Sequence, residues 1–274
     1  MNHNRRHFVA GTAALAATQL VGAGTAKAQS HRDGRTPIAR AEYDAPQIGN
    51  GLFTCIRTPE SVDGPFYYES SLRRRAIAEN RRGLPLKLRI GVAGAQIPGN
   101  ACPPLLNAVV DVWHADADGL YSNVGLDIQT QDTVGKTFMR GHQVTDQNGY
   151  VEFDSVVPGW EIVPVPPPRN VFLRTTHIHV KVFHEHKVVT TQLYFPDELL
   201  DDLYANVDPY RTHRQMTAPG AEKSFDRVRN GEDVIFQGEE SQPMSIRRDG
   251  NLVIAEAMIG IATDGGTGIA PLFR

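Results

Sequence analysis

Two histidines separated by one residue, His177 and His179, carry the clearest chemistry in the chain. They lie in Thr176-His177-Ile178-His179-Val180-Lys181-Val182-Phe183, a run that reads as a β-strand. Strand side chains alternate faces, so both imidazoles point one way, about 7 Å apart along the backbone, while Ile178, Val180 and Val182 point the other. Imidazole is a common ligand of transition metals, so the pair is well placed to bind one metal ion. The competing reading is two solvent-facing histidines on a sheet surface. Other reactive residues carry less. Asp116 and Asp118 before Gly119 begin like a calcium loop, but the remaining ligand spacing is missing. His184 and His186 fall at a predicted hairpin tip and read as solvated. His114 reads either as core packing or as support for a site, and Ser122 has no partnered base in a hydrolase motif.

The elements that must position these residues are mostly short strands. Residues 29–83 are irregular, polar and broken by proline, with arginines at 73–75 and 81–82 that read as a short exposed helix or a solvated face. From Leu84 onward, short β-rich runs alternate with turn signals. Leu86-Lys87-Leu88-Arg89-Ile90-Gly91-Val92 alternates apolar and polar residues, and Ala108-Val109-Val110-Asp111-Val112-Trp113-His114 is a second strand. Asn148-Gly149 between Val144-Thr145-Asp146 and Tyr150-Val151-Glu152-Phe153 predicts a hairpin. Residues 176–183 and 188–195 predict another, around His184-Glu185-His186-Lys187. Residues 233–236, 244–247 and 251–260 read as closing strands, 197–205 as a short helix, and 163–168 as an extended, proline-stiffened loop. The pattern shows no internal repeat and no βαβ alternation, which argues for a mainly β, antiparallel sandwich or barrel.

Several segments recur in a set order around the histidine pair. Thr58-Pro59-Glu60 through Gly64-Pro65-Phe66-Tyr67-Tyr68 comes first, followed by 113–122 with Gly119-Leu120-Tyr121-Ser122 and by Arg140-Gly141-His142. Pro158-Gly159-Trp160-Glu161, His177-Ile178-His179 and Thr191-Gln192-Leu193-Tyr194-Phe195 complete the series. Together they resemble the intradiol ring-cleavage dioxygenase family, over about residues 52–262. The resemblance implies a transthyretin-like antiparallel β-sandwich holding one Fe(III) per chain with two tyrosinates and two histidines. It implies an oxidoreductase that adds both atoms of O2 to a small aromatic diol, cleaving between the hydroxyl-bearing carbons to give a muconate-type diacid. Tyr121 falls on the first tyrosinate, and His177 and His179 on the histidine pair. Arg174 falls on the arginine that stabilises charge developing on the ring, and Gln192 on the glutamine beside the substrate. A hard ferric ion suits phenolate and imidazole, and a cation suits the electron-rich ring.

One position departs from the family. The second tyrosinate should follow Pro158-Gly159-Trp160, and Glu161 stands there. Either Glu161 ligates the metal in its place, as a weaker base than phenolate, or it points away and water fills the position. Two other readings compete with the dioxygenase. One is a cupin-like ferrous enzyme using His177, His179 and Glu185, at a spacing slightly long for that motif. The other is a transthyretin-like metal- or ligand-binding domain that has lost oxygen chemistry through Glu161.

Composition narrows the field. At 41% hydrophobic with net charge −3, the chain is too apolar and too weakly charged for disorder, and it lacks the basic balance of a nucleic-acid binder. Residues 1–28 read as a twin-arginine signal: Arg5-Arg6 with Phe8, a small apolar stretch, then Ala26-Lys27-Ala28 for cleavage. That predicts export in the folded state to the periplasm or beyond, with no membrane span in the mature protein. Removing these residues deletes Arg5, Arg6 and Lys27 and no acidic residue, taking the charge from −3 to about −6. The expected organisation is signal 1–28, irregular segment 29–83, β-sandwich 84–266 and tail 267–274. In an oxidising compartment the only two cysteines, Cys55 and Cys102, are expected to pair, the alternative being two unpaired buried thiols, because sequence does not give their separation.

Overall fold

The computed structural model describes residues 41–43, 57–95, 102–127, 129–164, 171–213, 227–236 and 243–262. The expected signal segment 1–28, Cys55 and the expected tail 267–274 lie outside them. Cys102 is buried and disulfide-bonded.

Two sheets build the domain. The larger contains, in spatial order, β1 (Ala41–Tyr43), β10 (Ser245–Asp249), β11 (Leu252–Ala262), β2 (Pro85–Ala95) and β5 (Tyr150–Val156). The smaller is β4 (Arg140–Val144), β3 (Val109–Trp113), β8 (His177–His184) and β9 (Lys187–Tyr194). A two-stranded ribbon, β6 (Ile162–Pro164) with β7 (Val171–Leu173), stands apart, so part of the expected proline-rich loop is paired. Helix α1 (Asp197–Asn206) follows β9 as expected, and α2 (Tyr210–His213) follows it. Among the described residues no helix is long and apolar enough to cross a membrane.

The alternation read from the sequence is the reason for this arrangement. Leu86, Leu88, Ile90 and Val92 of β2 share one core with Val110 and Val112 of β3 and with Ile178, Val180 and Val182 of β8. Each such side chain contributes roughly 1.5–3 kcal/mol on burial, and a one-residue slip of β8 would place its histidines in that core.

Three local expectations are corrected. β2 and β11 pair in parallel within the otherwise antiparallel sheets. They come from opposite ends of the domain, so no tight turn constrains their direction. The Asn148-Gly149 turn does not join a hairpin: β4 and β5 belong to different sheets. The Asp146 carboxylate accepts from the Asn148 and Tyr150 N–H groups and closes the turn locally. Gly149 has φ +78°, and a Cβ there would lie 2.7 Å from the Val92 carbonyl oxygen, so the turn packs on β2 rather than extending a ladder. The third correction is at 233–236, which is no strand but follows a 3₁₀ turn at Asn230–Glu232, with Asp233 accepting from the Ile235 and Phe236 N–H groups.

His114 is buried with Nδ1 2.6 Å from the Ala115 carbonyl oxygen and Nε2 2.9 Å from Ser155 Oγ, so its role is in packing. It is expected to make the fold acid-sensitive. Burial lowers its pKa to about 4, against about 6.5 when unfolded. Between those values the unfolded chain binds a proton that the folded chain refuses. Stability therefore falls as pH drops from 6.5 towards 4, by as much as about 3 kcal/mol. Urea unfolding of wild type and His114→Gln across this window isolates the term, because other titrating groups cancel in the difference. Parallel curves would exclude it.

Candidate metal centre

The histidines occupy the face of β8 turned away from the core. Cross-strand register sets Trp113 and Gln192 on either side of His179, and Tyr194 beside His177. The Trp113 indole stacks on the His179 ring at 4.8 Å with planes 7° apart. Residues 58–68 cover this face. Asp63 pairs with Lys181 Nζ at 2.7 Å, and Ser61 N–H donates to the Thr190 carbonyl. Gly64, at φ +69°, passes so close that a Cβ would sit 3.3 Å from His179 Cε1. Under this cover His177 and His179 are 3% and 2% exposed, which removes the reading of solvent-facing histidines.

Tyr121 enters from the loop after β3. Gln129 holds both its backbone N–H and carbonyl, Thr133 Oγ1 donates to the same carbonyl, and Phe66 stacks on its ring at 4.3 Å. Glu161 enters from the segment before β6. Gly159 lets that segment touch the opposite loop, since a Cβ there would lie 2.5 Å from the Ala117 carbonyl oxygen. Trp160 is buried in the core and its backbone N–H donates to the Tyr204 hydroxyl, which turns the next side chain inward. Glu161 does not point away. Its Oε1 is 3.6 Å from His177 Nε2, it is 5% exposed, and its charge acts on the Tyr121 phenol.

These donors fit a metal ion. His177 Nδ1 lies 2.7 Å from the Thr175 carbonyl, which can only accept, so the proton is on Nδ1 and Nε2 presents a lone pair. His179 Nε2 faces it at 3.1 Å. One small cation lying between them would be within reach of both nitrogens. Glu161 Oε2 is buried with no hydrogen-bond partner among the described residues. Among the described residues no three His, Cys, Asp or Glu side chains form a metal cage by themselves, and the Tyr121 phenol is a further oxygen donor in the same cluster.

Without a cation, every group in the cluster is driven towards neutrality. Burial, then the positive Arg174, holds His177 down to about 3, and burial with the neighbouring His177 holds His179 well below its ordinary value. Burial lifts Glu161 to about 7 against the pull of Arg174, and burial with the Glu161 charge lifts Tyr121 well above 10. A bound cation would favour the anionic forms of both oxygen donors.

Arg174 and Gln192 meet beside the histidines. Arg174 Nη2 donates to Gln192 Oε1 at 2.6 Å, and the Tyr194 hydroxyl donates to the same oxygen at 2.9 Å. Arg174 Nε donates to Asp233 Oδ2 at 2.8 Å. Asp233 and Tyr194 were not among the residues marked by sequence: one lies in a run that reads as a strand, the other looks like ordinary strand packing.

Other sequence candidates stay outside. Glu185 is an exposed turn residue at φ +54°, so the trio His177, His179 and Glu185 does not converge. Asp116 is ion-paired to Arg81 and accepts from the Asp118 and Leu120 N–H groups, which leaves no calcium loop. Ser122 Oγ donates to the Phe138 carbonyl and accepts from Arg140. Arg74, Arg75, Arg81 and Arg82 are all paired with acidic side chains. A cleft of about 250 Å³ lined by Arg75, Arg89, Tyr150 and Glu152 shares no residue with the histidine site, and its arginines are already paired or stacked.

Comparison with known proteins adds an independent line. Residues 62–237 match the family model Dioxygenase_C, described as dioxygenase. The chain is 28% identical over 174 residues to the chlorocatechol 1,2-dioxygenase of Rhodococcus opacus, covering 58% of this chain and 63% of that one. It is 27% identical over 148 residues to the catechol 1,2-dioxygenase of Acinetobacter baylyi, covering 50% of this chain and 45% of that one. The chain thus spans less than two thirds of the length of these curated relatives. The solved intradiol ring-cleavage dioxygenase of Tetranychus urticae shares the fold, with TM-score 0.61, 24% identity, and coverage of 78% of this chain and 98% of that one.

Proposed function

This chain belongs to the Dioxygenase_C family of intradiol ring-cleavage dioxygenases, and from that premise we propose that it is a non-haem Fe(III) enzyme cleaving a catechol-type ring with O2. One observation carries the reading: the His177 and His179 Nε2 atoms converge at 3.1 Å beside the buried Tyr121 phenol and Glu161 carboxyl. Tyr121, Glu161, His177 and His179 would hold one ferric ion per chain. Bound there, the ion supplies Lewis-acid activation of the diol towards dioxygen. The carbon–carbon bond between the hydroxyl-bearing carbons breaks and both oxygen atoms enter the product diacid, so no external reductant is consumed.

The protein's own groups do the rest. Arg174 presents a fixed positive charge where the ring becomes electron-rich, and Gln192 holds the guanidinium from the substrate side. Glu161, in the place of the departing phenolate, is the acceptor for a substrate hydroxyl proton. The segment 58–68 and the Trp113 ring keep bulk water from His179. Export through the signal in residues 1–28 belongs to the same proposal, because folded export delivers an enzyme already loaded with metal.

Purified protein should contain one iron per chain, absorb visible light through the Tyr121 phenolate, and convert catechol and O2 to a ring-opened diacid. With ¹⁸O2, both labelled atoms should appear in the product. A colourless zinc protein that leaves catechol intact would overturn the proposal.

A further inference from the structure

We infer that Asp233, on the loop after the 3₁₀ turn, is a positioning residue that aims Arg174 at the ring of the bound diol. This rests on the functional reading above. The pair is sealed from solvent: the Arg174 and Asp233 side chains are 4% and 0% exposed. A buried ion pair is often no more stabilising than apolar packing of the same volume, so bulk stability does not account for it.

The geometry accounts for it better. Asp233 Oδ2 accepts from Arg174 Nε and from the Thr175 backbone N–H, each at 2.8 Å. Its Oδ1 accepts from the Ile235 and Phe236 N–H groups, so the carboxylate is itself fixed by backbone on both oxygens. The loop is in turn pinned to the strand entry. Asn230 accepts from Thr175 Oγ1 at 2.9 Å and donates to the Phe195 carbonyl at 2.8 Å. On its other side Arg174 meets Gln192 Oε1, which is shared with Tyr194, while Gln192 Nε2 donates to the Val62 carbonyl. Two guanidinium nitrogens are thereby tied to two rigid acceptors. That fixes a planar group in orientation as well as position. Arg174 lies three residues before His177, and the tie to Asp233 stops it from swinging with its long stem.

The test is a mutant cycle in the iron-loaded full-length protein. Asp233→Asn should lower kcat for catechol by roughly 10²-fold, the loss typical of a misaimed group. The dissociation constant for catechol measured without oxygen should change by less than about threefold, because the iron ligands are untouched. In an Arg174→Gln background the same substitution should cost nothing further, since no guanidinium is left to aim. A purely structural Asp233 would lower activity by the same factor in both backgrounds, and that result overturns the inference, as does unchanged kcat in the single variant. Should Asp233→Asn fail to fold, Asp233→Ser removes the charge while keeping an acceptor and is read the same way. An inactive wild type would refute the functional reading itself; an active wild type with an insensitive Asp233 refutes only this inference.

Discussion

Changing His177 and His179 together to alanine is expected to give a folded protein with no stoichiometric iron. Both side chains project from the outer face of β8, whereas the residues that join β8 to the core are Ile178, Val180 and Val182. The substitution leaves that core intact and opens a cavity beneath Trp113 and residues 58–68. The cost is in the range of other large-to-small changes, roughly 2–5 kcal/mol, which lowers the melting temperature without abolishing cooperative unfolding. Iron binding falls much further. Loss of a group merely supporting a ligand costs about 10–100-fold in affinity, and here both proposed imidazole ligands disappear. Metal analysis after gel filtration, with circular dichroism as the folding control, decides the matter. A folded double variant that still carries one iron per chain would place the metal elsewhere. Single His177→Ala and His179→Ala variants should each lose the visible band, because either deletion leaves Tyr121 and Glu161 with a lone imidazole.

Glu161→Tyr should move the protein towards the two-phenolate ligand set that the family resemblance implies. With a second phenolate, the charge-transfer band should shift and intensify and the ferric state should become harder to reduce. Phenolate is the stronger base, its ordinary pKa being about 10 against about 4.3 for glutamate, so removal of the substrate proton should become easier. Turnover of unsubstituted catechol should rise by up to about 10²-fold, the lower end of what a well-placed proton acceptor contributes. Tyrosine is larger than glutamate in a site only 5% exposed, so a stability loss of roughly 1–3 kcal/mol should accompany the gain. Glu161→Ala should act in the opposite direction, weakening iron binding and lowering activity on every catechol. An iron spectrum and affinity unchanged by both substitutions would remove Glu161 from the coordination sphere and leave three protein ligands.

The strand that carries the histidine pair was legible in the sequence because alternation is a local property. Ile178, Val180 and Val182 had to face inward together, so His177 and His179 had to share the opposite face. Core positions in β2 and β3 and the helix at Asp197–Asn206 followed from the same kind of short-range pattern. Motif order then connected Tyr121, Glu161, Arg174 and Gln192 to the histidines, though with no distances. What lay beyond the sequence were relations between segments far apart in the chain. Whether β4 and β5 pair across Asn148-Gly149 depends on which sheet captures each strand, and β2 and β3 capture one each. The parallel union of β2 with β11 joins strands more than 150 residues apart, where no turn chemistry specifies direction. The orientation of Glu161 was also a tertiary matter. Gly159 against Ala117 and Trp160 in the core turn its carboxyl towards His177 and Tyr121. Asp233 was the least visible of all. Its neighbours in sequence say strand, and only the packing of its loop on Thr175 brings its carboxylate to Arg174, 59 residues away along the chain.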